Sequence, residues 1–157
     1  MENIFNDDFK DFLIALNNNH VEYILVGGYA VILHGSSRNT GDIDLWVNST
    51  EENFLNLIKA FNQFGLPTLS LEMEKFLDTK NFEVFSYGRP PVAIDIMTSV
   101  KGLDFNSAFA NAKKILVNDV YVNLIDYRDL IAAKKASARL KDMNDIQDLN
   151  KSNPDKT

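Results

Sequence analysis

The stretch that most restricts what this chain can become is Leu25 to Val47, LVGGYAVILHGSSRNTGDIDLWV. The apolar segment Tyr23-Ile24-Leu25-Val26 reads as a buried strand, and Gly27-Gly28 breaks it at once. Tyr29 to His34 then suits a short helix whose first amide groups point back at the glycines. Glycine at such a junction lets a ligand approach the backbone, and a helix N-terminus favours an anion such as phosphate. Beyond the loop, Asp42 and Asp44 alternate with Ile43 and Leu45. On a strand this spacing sets both carboxylates on one face and both apolar side chains on the other.

Two carboxylates held this close repel unless a cation lies between them, and Mg²⁺ favours oxygen ligands while keeping several of its waters. A phosphate cradle beside a magnesium site is equipment for handling a nucleoside triphosphate. A lone Asp-x-Asp is common, and a lone double glycine is a plain strand-to-helix turn. Their combination at this distance, with Arg38 and Thr40 between, is more specific. The chain has no Gly-Lys-Ser/Thr sequence, which excludes a Walker-type phosphate loop.

Gly27-Gly28, Arg38, Thr40 and Asp42-Ile43-Asp44 together resemble the signature of the DNA polymerase β-type nucleotidyltransferase superfamily. They are similar to its small bacterial members, among them the nucleotidyltransferase toxins of abortive-infection systems. The resemblance runs from about Tyr23 to Leu149 and implies a nucleotidyltransferase-like fold. It also gives weight to Asp95, the single acid in Val92-Ala93-Ile94-Asp95-Ile96-Met97. Taken alone, Asp95 is an edge-strand acid facing solvent. The family pattern implies that it joins Asp42 and Asp44 as a catalytic and metal-binding triad. Such a triad would hold two divalent ions, Mg²⁺ or in its place Mn²⁺, with Asp95 as general base or second-metal ligand.

By the same resemblance Gly27, Gly28, Arg38, Thr40 and Lys134 are nucleotide-binding candidates. Arg38 would contact phosphate oxygens and Thr40 would order the loop ahead of the acids. The final run, from Asp129 through Lys134-Lys135, Arg139, Lys141-Asp142 and Asp145 to Leu149, reads as one amphipathic helix. Lys134, Ala138, Lys141 and Asp145 would share a face of it. Without the resemblance it is a solvated helix laced with ion pairs. With it, Lys134 reaches the triphosphate, Lys135 is its rival, and Arg139 and Asp142 anchor the helix or orient Lys134. His34 on its apolar helix reads as a packed or surface residue rather than a catalyst. Ser36 and Ser37 have weaker claims still.

The totals set the class. A chain of 157 residues suits one domain, 1–149, followed by a polar flexible tail, 150–157. With 45% hydrophobic and 24% charged residues it reads as an ordinary globular protein. It has no cysteine, so disulfides and thiolate metal sites are excluded. MENIFNDDFKDF lacks an apolar signal core, and no apolar run reaches membrane-span length, so a cytoplasmic location is expected. The net charge of −6 argues against broad, unaided nucleic-acid binding but leaves room for a local basic patch.

In chain order, Asp7 to Asn18 reads as a helix, Val21 to Val26 as a strand, and Ser49 with Glu52 as a capping box before a helix through Phe61. Gly65-Leu66-Pro67 closes that helix, and a short helix is expected around Glu72 to Leu77. Strands are expected at Asn81 to Tyr87 and Val92 to Met97, joined by a turn at Gly88-Arg89-Pro90-Pro91. Asp104 to Ala112 reads as a short helix and Ile115 to Leu124 as a hairpin turning at Asn118-Asp119. Asp126 caps a final helix from Tyr127 to about Leu149. This order suggests an α/β (α+β) fold, a mixed sheet flanked by helices.

The function expected is Mg²⁺-dependent transfer of a nucleoside monophosphate from an NTP, such as ATP, to an acceptor hydroxyl, releasing pyrophosphate. The acceptor is a protein side chain, an RNA end or a small molecule. A toxin–antitoxin role, with a cognate antitoxin as partner, fits the size and the resemblance. The rival class is a catalytically silent nucleotide-binding or partner-binding module on the same fold. Intact Asp42, Asp44 and Asp95 argue against it.

Overall fold

In the computed structural model, which describes residues 3–66, 71–89 and 91–156, six strands form one sheet in the order β3-β4-β2-β1-β6-β5. The strands are β1 (Tyr23–Val26), β2 (Asp42–Val47), β3 (Val84–Arg89), β4 (Val92–Met97), β5 (Lys113–Val117) and β6 (Val120–Leu124). The helices are α1 (Asp7–Asn18), α2 (Gly27–Leu33), α3 (Glu51–Phe64), α4 (Met73–Leu77), α5 (Phe105–Asn111), α6 (Tyr127–Ser137) and α7 (Leu140–Ser152). A short 3₁₀ turn follows at Pro154–Lys156. The sheet is mixed: β1 runs antiparallel to β2 and parallel to β6, while β2 runs parallel to β4.

The expected α/β (α+β) architecture is therefore present, and its core follows the patterning. All four residues of β1 are buried because that strand lies between β2 and β6. Ile43 and Leu45 of β2 and Ile94 and Ile96 of β4 are also buried. α1 lays Phe9, Phe12, Leu13 and Leu16 into the core, and the Phe12 ring packs against those of Phe61 and Phe64 in α3 at 5.8 and 5.2 Å. The rows of polar side chains left on the other face of β2 and β4 supply the site.

Several local readings hold closely. α1 spans the expected residues, with the Asn6 side chain accepting from Phe9 N–H at its start. The hairpin turns at Asn118 and Asp119, both left-handed (φ 49° and 67°), as a two-residue turn matched to strand twist requires. Asp126 caps α6 by accepting from Arg128 N–H. Gly65, left-handed at φ 88°, ends α3, and α4 forms within Glu72 to Leu77. Pro67 and Pro90, which entered the readings of two turns, lie outside the described residues.

Other boundaries differ. The cap of α3 is Thr50, whose hydroxyl accepts from Asn53 N–H, because Ser49 instead donates to the Phe76 carbonyl at 2.7 Å. β1 begins at Tyr23, two residues later than expected, and β3 at Val84, three later. α2 begins at Gly27 itself rather than at Tyr29. The largest correction is at the C-terminus, where one long helix was expected and two are found. Ala138 adopts a left-handed conformation (φ 54°), which ends α6 and turns the chain before α7. Lys134, Ala138, Lys141 and Asp145 therefore do not share the face of one helix. α7 runs on to Ser152, whose hydroxyl donates to the Gly35 carbonyl, and Asn153 donates to the His34 carbonyl at 2.7 Å. Among the described residues, no helix is long and apolar enough to cross a membrane.

Candidate active site

Strand register brings the three carboxylates together. Asp44 of β2 lies directly opposite Asp95 of β4, and Asp42 opposite Ala93, so both β2 acids stand on the face that carries Asp95. One carboxylate oxygen from each of Asp42, Asp44 and Asp95 lies within 4.8 Å of the other two. Burial, reinforced by the charges of Asp42 and Asp95, pushes the Asp44 carboxyl up to about 7. Three oxygen donors crowded so that one of them resists ionising fit a hard divalent cation, which would remove that repulsion.

Gly27 is placed against this group. Its left-handed backbone (φ 69°) lets β1 pass straight into α2, and a Cβ there would collide with the Asp44 carboxylate. A Cβ on Gly28 would meet the Thr40 side chain, with Cβ at 2.8 Å and Oγ1 at 2.5 Å, and Arg38 Nη2 at 3.3 Å. The two glycines thus provide the room in which the acids and the Arg38–Thr40 loop close on the strand end. Thr40 Oγ1 lies 3.3 Å from both the carbonyl and Oδ1 of Asp42, tying the loop to the first acid.

Gly27, Gly28, Arg38, Asp42, Asp44 and Asp95 line a cavity of about 410 Å³ together with residues of α6 and α7. Lys134 lies in its wall, but its ammonium is committed. It donates to Asp145 Oδ2 at 2.8 Å and to Asp142 Oδ1 at 3.3 Å, and the residue is only 7% exposed. Asp145 also accepts from Arg38 Nη1 at 2.7 Å, and Asp142 from Arg139 Nε at 2.8 Å. Burial alone would raise the Asp142 carboxyl. Hydrogen bonds from Arg139 and Ser137, with the Lys134 charge, overcome it and hold Asp142 well below the usual carboxylate range. Arg38, Asp145, Lys134, Asp142 and Arg139 form one continuous chain of ion pairs.

That chain exists because of the break at Ala138. In an unbroken helix Lys134 and Asp145 would stand about 16 Å apart along the axis, too far to meet. Lys135 is exposed and does not line the cavity. His34 lies outside the cavity, its Nε2 2.7 Å from the Ile125 carbonyl, with burial the largest influence lowering its pKa. Ser36 is buried, and neither it nor Ser37 lines the cavity.

Sequence reading passed over several residues. Ser86 of β3 donates to Asp95 Oδ1 at 2.7 Å; its position opposite Asp95 in the β3–β4 pairing was the available signal. Asp145 was read only as part of a helix face, yet it joins Arg38 to Lys134. Lys101 lines the cavity as well, and no local pattern distinguishes it from other surface lysines; Lys141, read as part of the same helix face as Lys134, also lines it.

No match to the chain is found among curated proteins. A family model described as a nucleotidyltransferase of unknown function (DUF6036) matches residues 7–152, and the chain belongs to that family.

Proposed function

We propose that the protein is a Mg²⁺-dependent nucleotidyltransferase. It moves a nucleoside monophosphate from an NTP to an acceptor hydroxyl and releases pyrophosphate. The reading is carried by one observation, the convergence of Asp42, Asp44 and Asp95 on one face lining a cavity. Membership of a nucleotidyltransferase family supports the reaction class.

Asp42, Asp44 and Asp95 are the residues that would hold Mg²⁺ or Mn²⁺, and the bound cation supplies charge neutralisation for the triphosphate. Gly27 and Gly28 let the nucleotide phosphates approach the backbone closely. Thr40 keeps the loop, and with it Asp42, in place. Arg38 and Lys134, held through Asp145, give the cavity wall positive charge that would face the negative phosphate oxygens in the transition state. In the transfer, the acceptor oxygen forms a bond to the α-phosphorus as the bond to the departing pyrophosphate breaks. The hydroxyl proton passes to a nearby carboxylate, and Asp95, oriented by Ser86, is the one assigned here as general base.

The acceptor is a protein side chain, an RNA end or a small molecule, and a toxin–antitoxin setting with a cognate antitoxin accords with the family resemblance. The deciding experiment incubates purified protein with Mg²⁺ and each α-labelled NTP, with total RNA and lysate proteins as acceptors. An Asp42→Ala/Asp44→Ala variant runs alongside. Label transferred by the wild type alone is the expected result. Mg²⁺-dependent NTP binding with no transfer would instead support a silent nucleotide-binding module.

A further inference from the structure

The cavity holds four cationic side chains besides Arg38, and they divide into two kinds. Lys134 and Arg139 are each bonded to Asp142, and Lys134 to Asp145 as well. Two of the three N–H bonds of the Lys134 ammonium are therefore spent within the protein. Lys134 could reach a phosphate only by giving up its two bonds to buried carboxylates, leaving Asp145 to Arg38 and Asp142 to Arg139 alone, which is unfavourable. Lys141 and Lys101 differ. Both are exposed, both line the cavity, and neither forms an ion pair among the described residues.

The setting of Lys141 is informative. It lies in the first turn of α7, where the positive end of the helix dipole makes a cation unfavourable. No ion pair among the described residues offsets that cost. Its charge nevertheless reaches Asp44, where it opposes the upward push from burial and the neighbouring acids. A polyanion entering over Asp42, Asp44 and Asp95 would meet this free ammonium rather than the clasped one.

We propose that Lys141, assisted by Lys101, is the cation that binds the polyphosphate of the substrate, and that Lys134 is a positioning residue locking α6, α7 and Arg38 together. This rests on the nucleotidyltransferase reading. Lys141 acts as a point charge on the β- and γ-phosphates, and its contact with them ends when pyrophosphate leaves.

The test is calorimetric binding of Mg²⁺–tripolyphosphate and Mg²⁺–ATP to the wild type, Lys141→Gln, Lys101→Gln and Lys135→Gln, with thermal unfolding of each. Lys141→Gln should weaken binding of both probes by at least about tenfold, the value of one charge-assisted contact, with an unchanged Tm. Lys101→Gln should weaken both to a smaller degree, and Lys135→Gln should match the wild type. Lys141→Gln binding like Lys135→Gln, while the wild type binds both probes, would overturn the assignment and leave the nucleotidyltransferase reading standing. Tight, Lys141-dependent polyphosphate binding without nucleotidyl transfer would sustain the assignment and sink the transferase reading. A wild type that binds neither probe would overturn both.

Discussion

Gly27 shows how much one residue carries. A left-handed backbone costs an alanine about 1–2 kcal/mol, and here the added Cβ also strikes the Asp44 carboxylate. Gly27→Ala should therefore lower the Tm and weaken Mg²⁺–NTP binding together. Gly41→Ala is the control, since a Cβ there meets nothing within 4 Å and should change stability by no more than about 0.5 kcal/mol. Equal behaviour of the two variants in thermal unfolding and calorimetry would remove Gly27 from the site. Gly27 and the Asp-x-Asp pair were legible because local chain geometry governs them: the positive φ at the strand-to-helix junction asks for glycine, and strand alternation sets the acids on one face. Ser86 was not, because its partner Asp95 is reached across a strand pair and not along the chain.

At the scale of elements, the break between α6 and α7 decides what the C-terminal run does. Ala138 holds a conformation that glycine adopts without penalty, and it is exposed. Ala138→Gly should thus stabilise the protein by about 0.5–1 kcal/mol, read as a higher Tm, by relieving left-handed strain. A drop in Tm would mean the turn is held by contacts and not by backbone preference. The ion-pair chain built across that break predicts the opposite for Lys134→Met, which leaves Asp142 and Asp145 short of a buried partner. A loss of about 3 kcal/mol is expected in denaturant unfolding, partly restored by adding Asp142→Asn and Asp145→Asn. The sequence concealed this arrangement. Every residue from Tyr127 to Leu149 is compatible with a helix, no glycine or proline marks the stop, and an alanine at φ 54° runs against its own preference. The break brings Lys134 to Asp142 and Asp145, forms the Arg139–Asp142 cap of α7 and buries Ile146 and Leu149, gains that lie outside the local sequence.

For the molecule as a whole, the crowded acids make stability depend on pH. Asp44 keeps its proton in the folded state up to about 7, whereas an unfolded chain releases it near the ordinary carboxylate value of about 4. Its contribution to stability is therefore complete below pH ~4 and is lost as pH rises toward 7. In chelator, the wild type should lose more Tm between pH 5 and pH 8 than Asp44→Asn does, at about 2–4 °C per kcal/mol for a chain of this size. Mg²⁺ at pH 8 should return the loss to the wild type and little to the variant, since a ligand of the folded state stabilises it by mass action. Parallel pH profiles would show that Asp44 is not strained in the metal-free protein. What the sequence by itself determined were the features set by neighbours along the chain: helix α1, the buried strand β1, the paired faces of β2 and β4, the hairpin turn, and Gly27-Gly28 ahead of Asp42 and Asp44. Tertiary structure alone decided which strands lie side by side, bringing Asp95 to Asp44, and where the last helix breaks, so that Lys134 is clasped and Lys141 left free. Those outcomes depend on burial and on charges far apart in sequence, which local periodicity does not record.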